Sequence, residues 1–215
     1  MDWCQYYGER PLSLERYVND IWDHRPFLSE IASIGQEDKE MLEVGSGSGA
    51  LSIFLSHLGY KIVSIDNDKG VLNAAGQNNA RLNGRVAFKK ADACNLPFED
   101  NRFDVCFSQG FFEHFDDDNI GKLLKEQLRV ANVVVFSVPT FWYPSQDFGD
   151  ERLIKKEDWL EILSEFKVDK AVYYGSRKET GAKPSQIYFM VTGRVASTAS
   201  AITVAVLGHH LPEIL

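Results

Sequence analysis

The chain predicts an α/β fold: a mostly parallel sheet with helices on its faces and an antiparallel hairpin at its C-terminal end. Three observations carry the prediction. Apolar runs at 40–44, 61–65, 86–90, 103–108 and 131–138 alternate with helical stretches or loops, the pattern of strands returned by crossovers into a parallel sheet. The first run, Met41-Leu42-Glu43-Val44, breaks into Gly45-Ser46-Gly47-Ser48-Gly49, a strand handing over to a helix through a loop with almost no side chains. After Pro139 the alternation gives way to one amphipathic stretch and two strand-like runs separated by turn-forming residues.

Each element has a local reason. Residues 50–58 place Leu51, Phe54, Leu55 and Leu58 at helical spacing, and the start of that helix offers unpaired backbone N–H groups to whatever the glycine loop approaches. Residues 69–82 open after Asp66-Asn67-Asp68, side chains that cap helices, and Ala74, Ala75, Gly76 and Ala80 let the helix lie close to the sheet. A third helix covers 119–130. Beyond Pro139, 156–166 reads as an amphipathic helix, 168–174 and 186–192 as strands, and 175–185 as the hairpin loop between them.

Composition narrows the functional classes. At 215 residues with 44% hydrophobic content, the chain can bury one full core. A net charge of −8 disfavours a direct nucleic-acid surface, which draws on clustered Lys and Arg. Lys155-Lys156 and Arg177-Lys178 are short pairs flanked by acids and read as solvated faces. Cys4, Cys94 and Cys106 lack C-x-x-C spacing, so reduced thiols are the simplest reading. Charged residues throughout the first segment and the shortness of every apolar run predict a cytoplasmic chain without membrane insertion. His209-His210 stand without further spaced ligands, and no metal is expected.

The glycine loop fits two patterns. Gly45-x-Gly47-x-x-Ala50, with Asp66 downstream, matches the dinucleotide fingerprint. The same glycines, with Glu43 as the acid at the strand end, match E/D-x-G-x-G-x-G. An acid at that point suits a ligand carrying an ammonium and does nothing for a pyrophosphate. The second pattern resembles the first motif of the class I S-adenosylmethionine-dependent methyltransferases. Five parallel strands, a helix and a terminal hairpin over roughly 40–193 are similar to that family's Rossmann-like seven-stranded sandwich. The chain then divides into an N-terminal helical lid or cap segment (1–39), an S-adenosylmethionine-binding domain (40–193) and a C-terminal tail (194–215).

The resemblance implies roles residue by residue. Glu43, Gly45, Ser46 and Gly47 border the methionine tail. Asp66 and Asn67 follow the second strand, where the family's acid takes both ribose hydroxyls, although Asp68 beside them is a rival helix cap. Asp92 and Ala93 precede Leu96-Pro97-Phe98, similar to the family's D-A-x-x-L-P-F segment, and inherit the adenine contacts; a turn-forming Asp after a strand is the plainer alternative. Gln109 and Gly110, leaving the fourth strand, border the methyl group. His114, in an E-H pair of the kind found in ubiquinone and menaquinone biosynthesis methyltransferases, reads either as a general base or as a structural ring shielding the cofactor. Trp142 and Tyr143 follow the fifth strand as pocket wall or core, and Tyr7 lies in an aromatic N-terminus that covers the pocket in many relatives.

The implied activity is methyl transfer from S-adenosylmethionine to a small-molecule acceptor, with a protein or tRNA acceptor less favoured. Ser108-Gln109-Gly110-Phe111 stands where amino-methylating nucleic-acid enzymes carry N/D-P-P-Y/F. Two other readings stay open: an NAD-dependent oxidoreductase, and a subunit that binds S-adenosylmethionine without turnover.

Overall fold

The computed structural model describes residues 2–34, 40–144, 150–176 and 183–194. Three helices open the chain: α1 (Trp3–Glu9), α2 (Leu14–Asp23) and α3 (Arg25–Ile34). Then follow β1 (Glu40–Val44), α4 (Ala50–His57), β2 (Lys61–Asp66), α5 (Lys69–Arg81), β3 (Ala87–Lys90) and β4 (Phe103–Gln109). A short 3-10 helix (Phe112–His114), α6 (Asp117–Val130), β5 (Ala131–Pro139), α7 (Lys156–Ile162), β6 (Phe166–Ser176) and β7 (Pro184–Arg194) complete the order.

The seven strands form one sheet in the order β3-β2-β1-β4-β5-β7-β6. Strands β1 to β5 pair in parallel, whereas β7 runs antiparallel to both β5 and β6. This is the expected seven-stranded, Rossmann-like sandwich with its antiparallel hairpin. The chain winds outward from β1 to β3 and then resumes on the other side of β1 with β4. That reversal opens a crevice beyond the C-terminal ends of β1 and β4, the place where open α/β sheets take ligands.

Strand alternation sends successive side chains to opposite faces. Met41, Val105, Phe107 and Val135 pack with Phe27, Leu28 and Ile31 of α3 and Leu51, Ile53 and Leu55 of α4. Leu42, Val44, Cys106, Val134 and Phe136 face the other way, onto Ile120, Leu123 and Leu124 of α6 and Trp159 of α7. Within 1–39, therefore, α3 belongs to the core of the sandwich. Trp159 is fully buried, its ring 6.0 Å from those of Phe136 and Phe189, and its Nε1 has no hydrogen-bond partner among the described residues. Trp159→Ala is expected to cost roughly 3–5 kcal/mol in urea unfolding. Trp159→Phe should recover most of that, because it keeps the ring and removes an unsatisfied N–H.

One element is shorter than its sequence pattern. The helix read over 156–166 ends at Ile162, and Phe166 instead begins β6 opposite Arg194. The terminal turns tighten, with Ser164 N donating to Glu161 O and Phe166 N to Leu163 O. Apolar spacing does not distinguish a buried helical Phe166 from a buried strand Phe166; pairing with β7 decides. The tail at 195–215, Arg177-Lys178 and most of the hairpin loop lie outside the described residues. Among the described residues, no helix is long and apolar enough to cross a membrane.

Candidate active site

The crevice holds a cavity of about 380 Å³. Its floor is the glycine loop. Gly45, Gly47 and Gly49 have φ of 83°, 48° and 78°, a left-handed run that a residue with a Cβ resists. At Gly47 the demand is doubled, since a Cβ there would lie 2.6 Å from the Tyr7 hydroxyl. The loop is tied to β2 by Gly45 N and Ser46 N, both donating to Ile65 O at 2.9 and 3.1 Å.

Two carboxylates sit beneath this loop. Glu43, at the end of β1, is 4% exposed. Its Oε2 accepts from Ser52 Oγ of α4 at 2.7 Å and Ser64 Oγ of β2 at 2.5 Å, and Ser64 Oγ is also 2.8 Å from Ser46 Oγ. Burial pushes the Glu43 carboxyl up to about 7, with the Ser64 and Ser52 hydroxyls partly offsetting it. Asp66, at the end of β2, accepts from Ser46 N through Oδ2 at 3.1 Å and from Asp68 N through Oδ1 at 3.0 Å. Burial raises it as well.

The Glu43 shift has a consequence for stability. An unfolded glutamate ionises near 4.5, so between that pH and about 7 the folded chain holds a proton that the unfolded chain has released. Stability is therefore full below the lower value and falls as pH rises through the upper one. Glu43→Gln should remove a difference on the order of 3 kcal/mol between pH 5 and pH 8. Urea titrations at both pH values check this; parallel profiles for the two proteins would refute it.

The other sequence-derived residues are distributed as follows. Asn67, Asp92, Ala93, Gln109 and Gly110 line the cavity together with Glu43, Gly45, Ser46, Gly47 and Asp66. Asp92 is exposed, and its Oδ1 accepts from Cys94 N at 2.9 Å, so the turn geometry and a place on the cavity wall coexist in one residue. Asp68 caps α5, its Oδ1 accepting from Gly70 N at 2.6 Å and Val71 N at 3.2 Å. The rivalry between Asp66 and Asp68 is thus divided spatially.

At the far wall, His114 and Tyr143 line the cavity, whereas Trp142 does not. Its ring packs between Phe141 and Tyr173, with centroids at 4.9 and 5.6 Å; the turn after β5 points one aromatic inward and sends its neighbour against the hairpin. His114 Nδ1 is 3.0 Å from Asp150 Oδ1, and Trp3 meets the imidazole edge-on at 5.1 Å.

Helix α1 forms one wall of the cavity. Trp3, Tyr6 and Tyr7 line the cavity and pack on one another, Trp3 and Tyr7 stacked at 6.2 Å and Tyr6 and Tyr7 edge-on at 5.1 Å. Burial and the nearby Tyr6 ring push the Tyr7 hydroxyl well above its ordinary range, so it remains a neutral donor over Gly47. Arg16, Asp20 and His24 of α2 also reach the wall. Sequence reasoning assigned them no role, since α2 carries no motif. Glu113 and Glu151 were likewise missed, although Glu113 stands beside the histidine that was singled out.

Comparison with known proteins agrees with this arrangement. Residues 41–133 match the family model described as a methyltransferase domain. An uncharacterised methyltransferase from Mycobacterium leprae is 33% identical over 128 residues, 58% of this chain and 44% of the relative. Over that segment the chain is similar to methyltransferase domains. The chain spans less than half the length of the curated relatives it matches. Its fold is shared with a Pyrococcus horikoshii protein (TM-score 0.70, 16% identity, 88% of this chain and 98% of the other). Magnesium protoporphyrin IX methyltransferase from Synechocystis PCC 6803, solved with bound SAH, superposes with a TM-score of 0.64 at 15% identity over 89% and 92% of the two chains.

Proposed function

We propose that this chain binds S-adenosylmethionine in the crevice and transfers its methyl group to a small-molecule acceptor. The observation that carries the reading is the buried Glu43 at the end of β1, held by hydroxyl groups at the base of a left-handed glycine loop. A carboxyl in that position is matched to a cationic ligand, and burial strengthens the match by excluding water from the pair. The residues present fit the cofactor: Asp66 offers carboxylate oxygens to ribose hydroxyls, Asp92 and Ala93 flank the adenine side, and the glycine loop brings bare backbone to the cavity floor.

Bound there, S-adenosylmethionine supplies an already activated methyl on a sulfonium, and the spent cofactor is S-adenosylhomocysteine. The protein's task is alignment and exclusion of water. Gln109 and Gly110 form the border between the cofactor end and the acceptor end of the cavity, and Trp3, Tyr6 and Tyr7 cover it. His114, held by Asp150, takes the shielding role of the two open to it, a ring on the wall beside the cofactor.

Calorimetry with S-adenosylmethionine, S-adenosylhomocysteine and NAD, followed by mass detection of S-adenosylhomocysteine across an acceptor panel, tests this reading. Binding of the first two with NAD silent, and product formed with at least one acceptor, is the expected result. NAD binding alone would favour the dinucleotide reading that Gly45-x-Gly47-x-x-Ala50 still permits. Cofactor binding without turnover on any acceptor would favour a binding subunit.

A further inference from the structure

We propose that the acceptor is an amine and that Glu113 receives its N–H. This rests on the methyl-transfer reading and names the acceptor class of the same cavity. Glu113 is 3% exposed and lines the cavity, yet its Oε2 has no hydrogen-bond partner among the described residues. A buried polar atom in that state costs free energy unless a hydrogen-bond partner reaches it, and the residue that carries it lines the ligand space. Its other oxygen, Oε1, lies 3.5 Å from the position a Cβ would take on Gly110. The carboxyl thus sits at the border between the donor and acceptor ends.

The surroundings select the sign of the ligand. Among the described residues, the cavity is lined by Asp20, Glu43, Asp66, Asp92, Glu113 and Glu151, with Arg16 as the one lining guanidinium. Arg16 is engaged, 3.8 Å from Asp20 and donating to Arg10 O. Arg152, whose N–H donates to Glu113 O, turns its guanidinium to Asp117 at 2.7 Å. Burial, with Glu151 and Asp150 adding negative potential, pushes the Glu113 carboxyl up to about 8, so a cation beside it is what draws it to ionise. An anionic acceptor would meet repulsion here, whereas an amine gains a carboxylate and the π faces of the aromatic lid.

The step balances without another reagent. The ammonium drawn in by the acidic wall first gives a proton to the Glu113 carboxylate, which passes it to solvent. The neutral amine then attacks with its lone pair, the N–C bond forms, and the C–S bond breaks with its electron pair passing to sulfur. The methylated nitrogen is then an ammonium, and its extra proton passes to the Glu113 carboxylate and on to solvent.

Benzylamine, benzyl alcohol and benzoate, similar in size and different in charge, provide the test. Each is titrated calorimetrically into the full chain, with and without saturating S-adenosylhomocysteine. Benzylamine should bind at least about tenfold more tightly than benzoate. Glu113→Gln should abolish that preference while still binding S-adenosylhomocysteine, and Glu151→Gln should reduce the preference without abolishing it. Equal or tighter benzoate binding, or a preference that survives Glu113→Gln, would overturn the proposal. So would a Glu113→Gln protein that keeps the preference and loses S-adenosylhomocysteine, which would assign the carboxyl to the donor. If S-adenosylhomocysteine fails to bind the unaltered chain, the methyl-transfer reading falls by itself, and the amine preference is still decided by the titrations without it.

Discussion

Asp66→Ala is expected to weaken S-adenosylmethionine binding by at least about a hundredfold. In the proposed complex the carboxylate accepts from two ribose hydroxyls, and hydrogen bonds to a charged group contribute about 1.5–3 kcal/mol each. The loss is compounded within the protein, because Asp66 also takes the N–H groups of Ser46 and Asp68. Without it, the glycine loop and the start of α5 lose their common anchor. Asp68→Ala makes the contrast. It removes the cap on Gly70 N and Val71 N, a change expected to lower stability by about 1 kcal/mol while shifting affinity far less. Calorimetry and thermal melts on both variants separate the two aspartates. An Asp66→Ala protein that binds within tenfold of the parent would remove the ribose role.

Gly47→Ala is expected to undo both the loop and its cover. The backbone at φ 48° disfavours any residue with a Cβ, at a cost of about 1–2 kcal/mol, and the added methyl would press on the Tyr7 hydroxyl at 2.6 Å. Helix α1 should swing away, since it is seven residues long and contains no fully buried side chain. Hydrogen exchange across Trp3–Glu9 would report the release, and cofactor affinity should fall by at least about tenfold. The double variant Tyr7→Phe/Gly47→Ala separates the two causes. Restored protection of α1 without restored affinity assigns the affinity loss to backbone strain. Unchanged exchange in the single variant would show that Tyr7 does not hold the lid.

Most strands, and the strand-end residues that line the cavity, were legible because their signals are local. The glycine loop, the acids at the ends of β1 and β2, and the Asp92-Ala93 turn each sit at the C-terminal end of a strand, and a parallel sheet brings such ends together whatever the loops between them do. The acceptor half had no such signal. Glu113, Glu151, Asp20 and Arg16 come from a 3-10 turn, a loop and a motif-free helix, and nothing in their spacing says that they converge. Trp142 and Tyr143 are adjacent in the chain, yet only Tyr143 reaches the cavity; the direction of each side chain in a turn depends on what packs against it.

Periodicity and turn chemistry by themselves determined the alternating elements, the antiparallel hairpin and the place of the glycine loop, because these depend on each residue's own backbone preferences and near neighbours. Tertiary structure decided where α7 stops, that α3 joins the core, that α1 lies over Gly47 and that Glu113 Oε2 is buried without a partner among the described residues. Those outcomes depend on contacts between residues far apart in the chain, whose free energies arise only when the sheet has formed and brought them together.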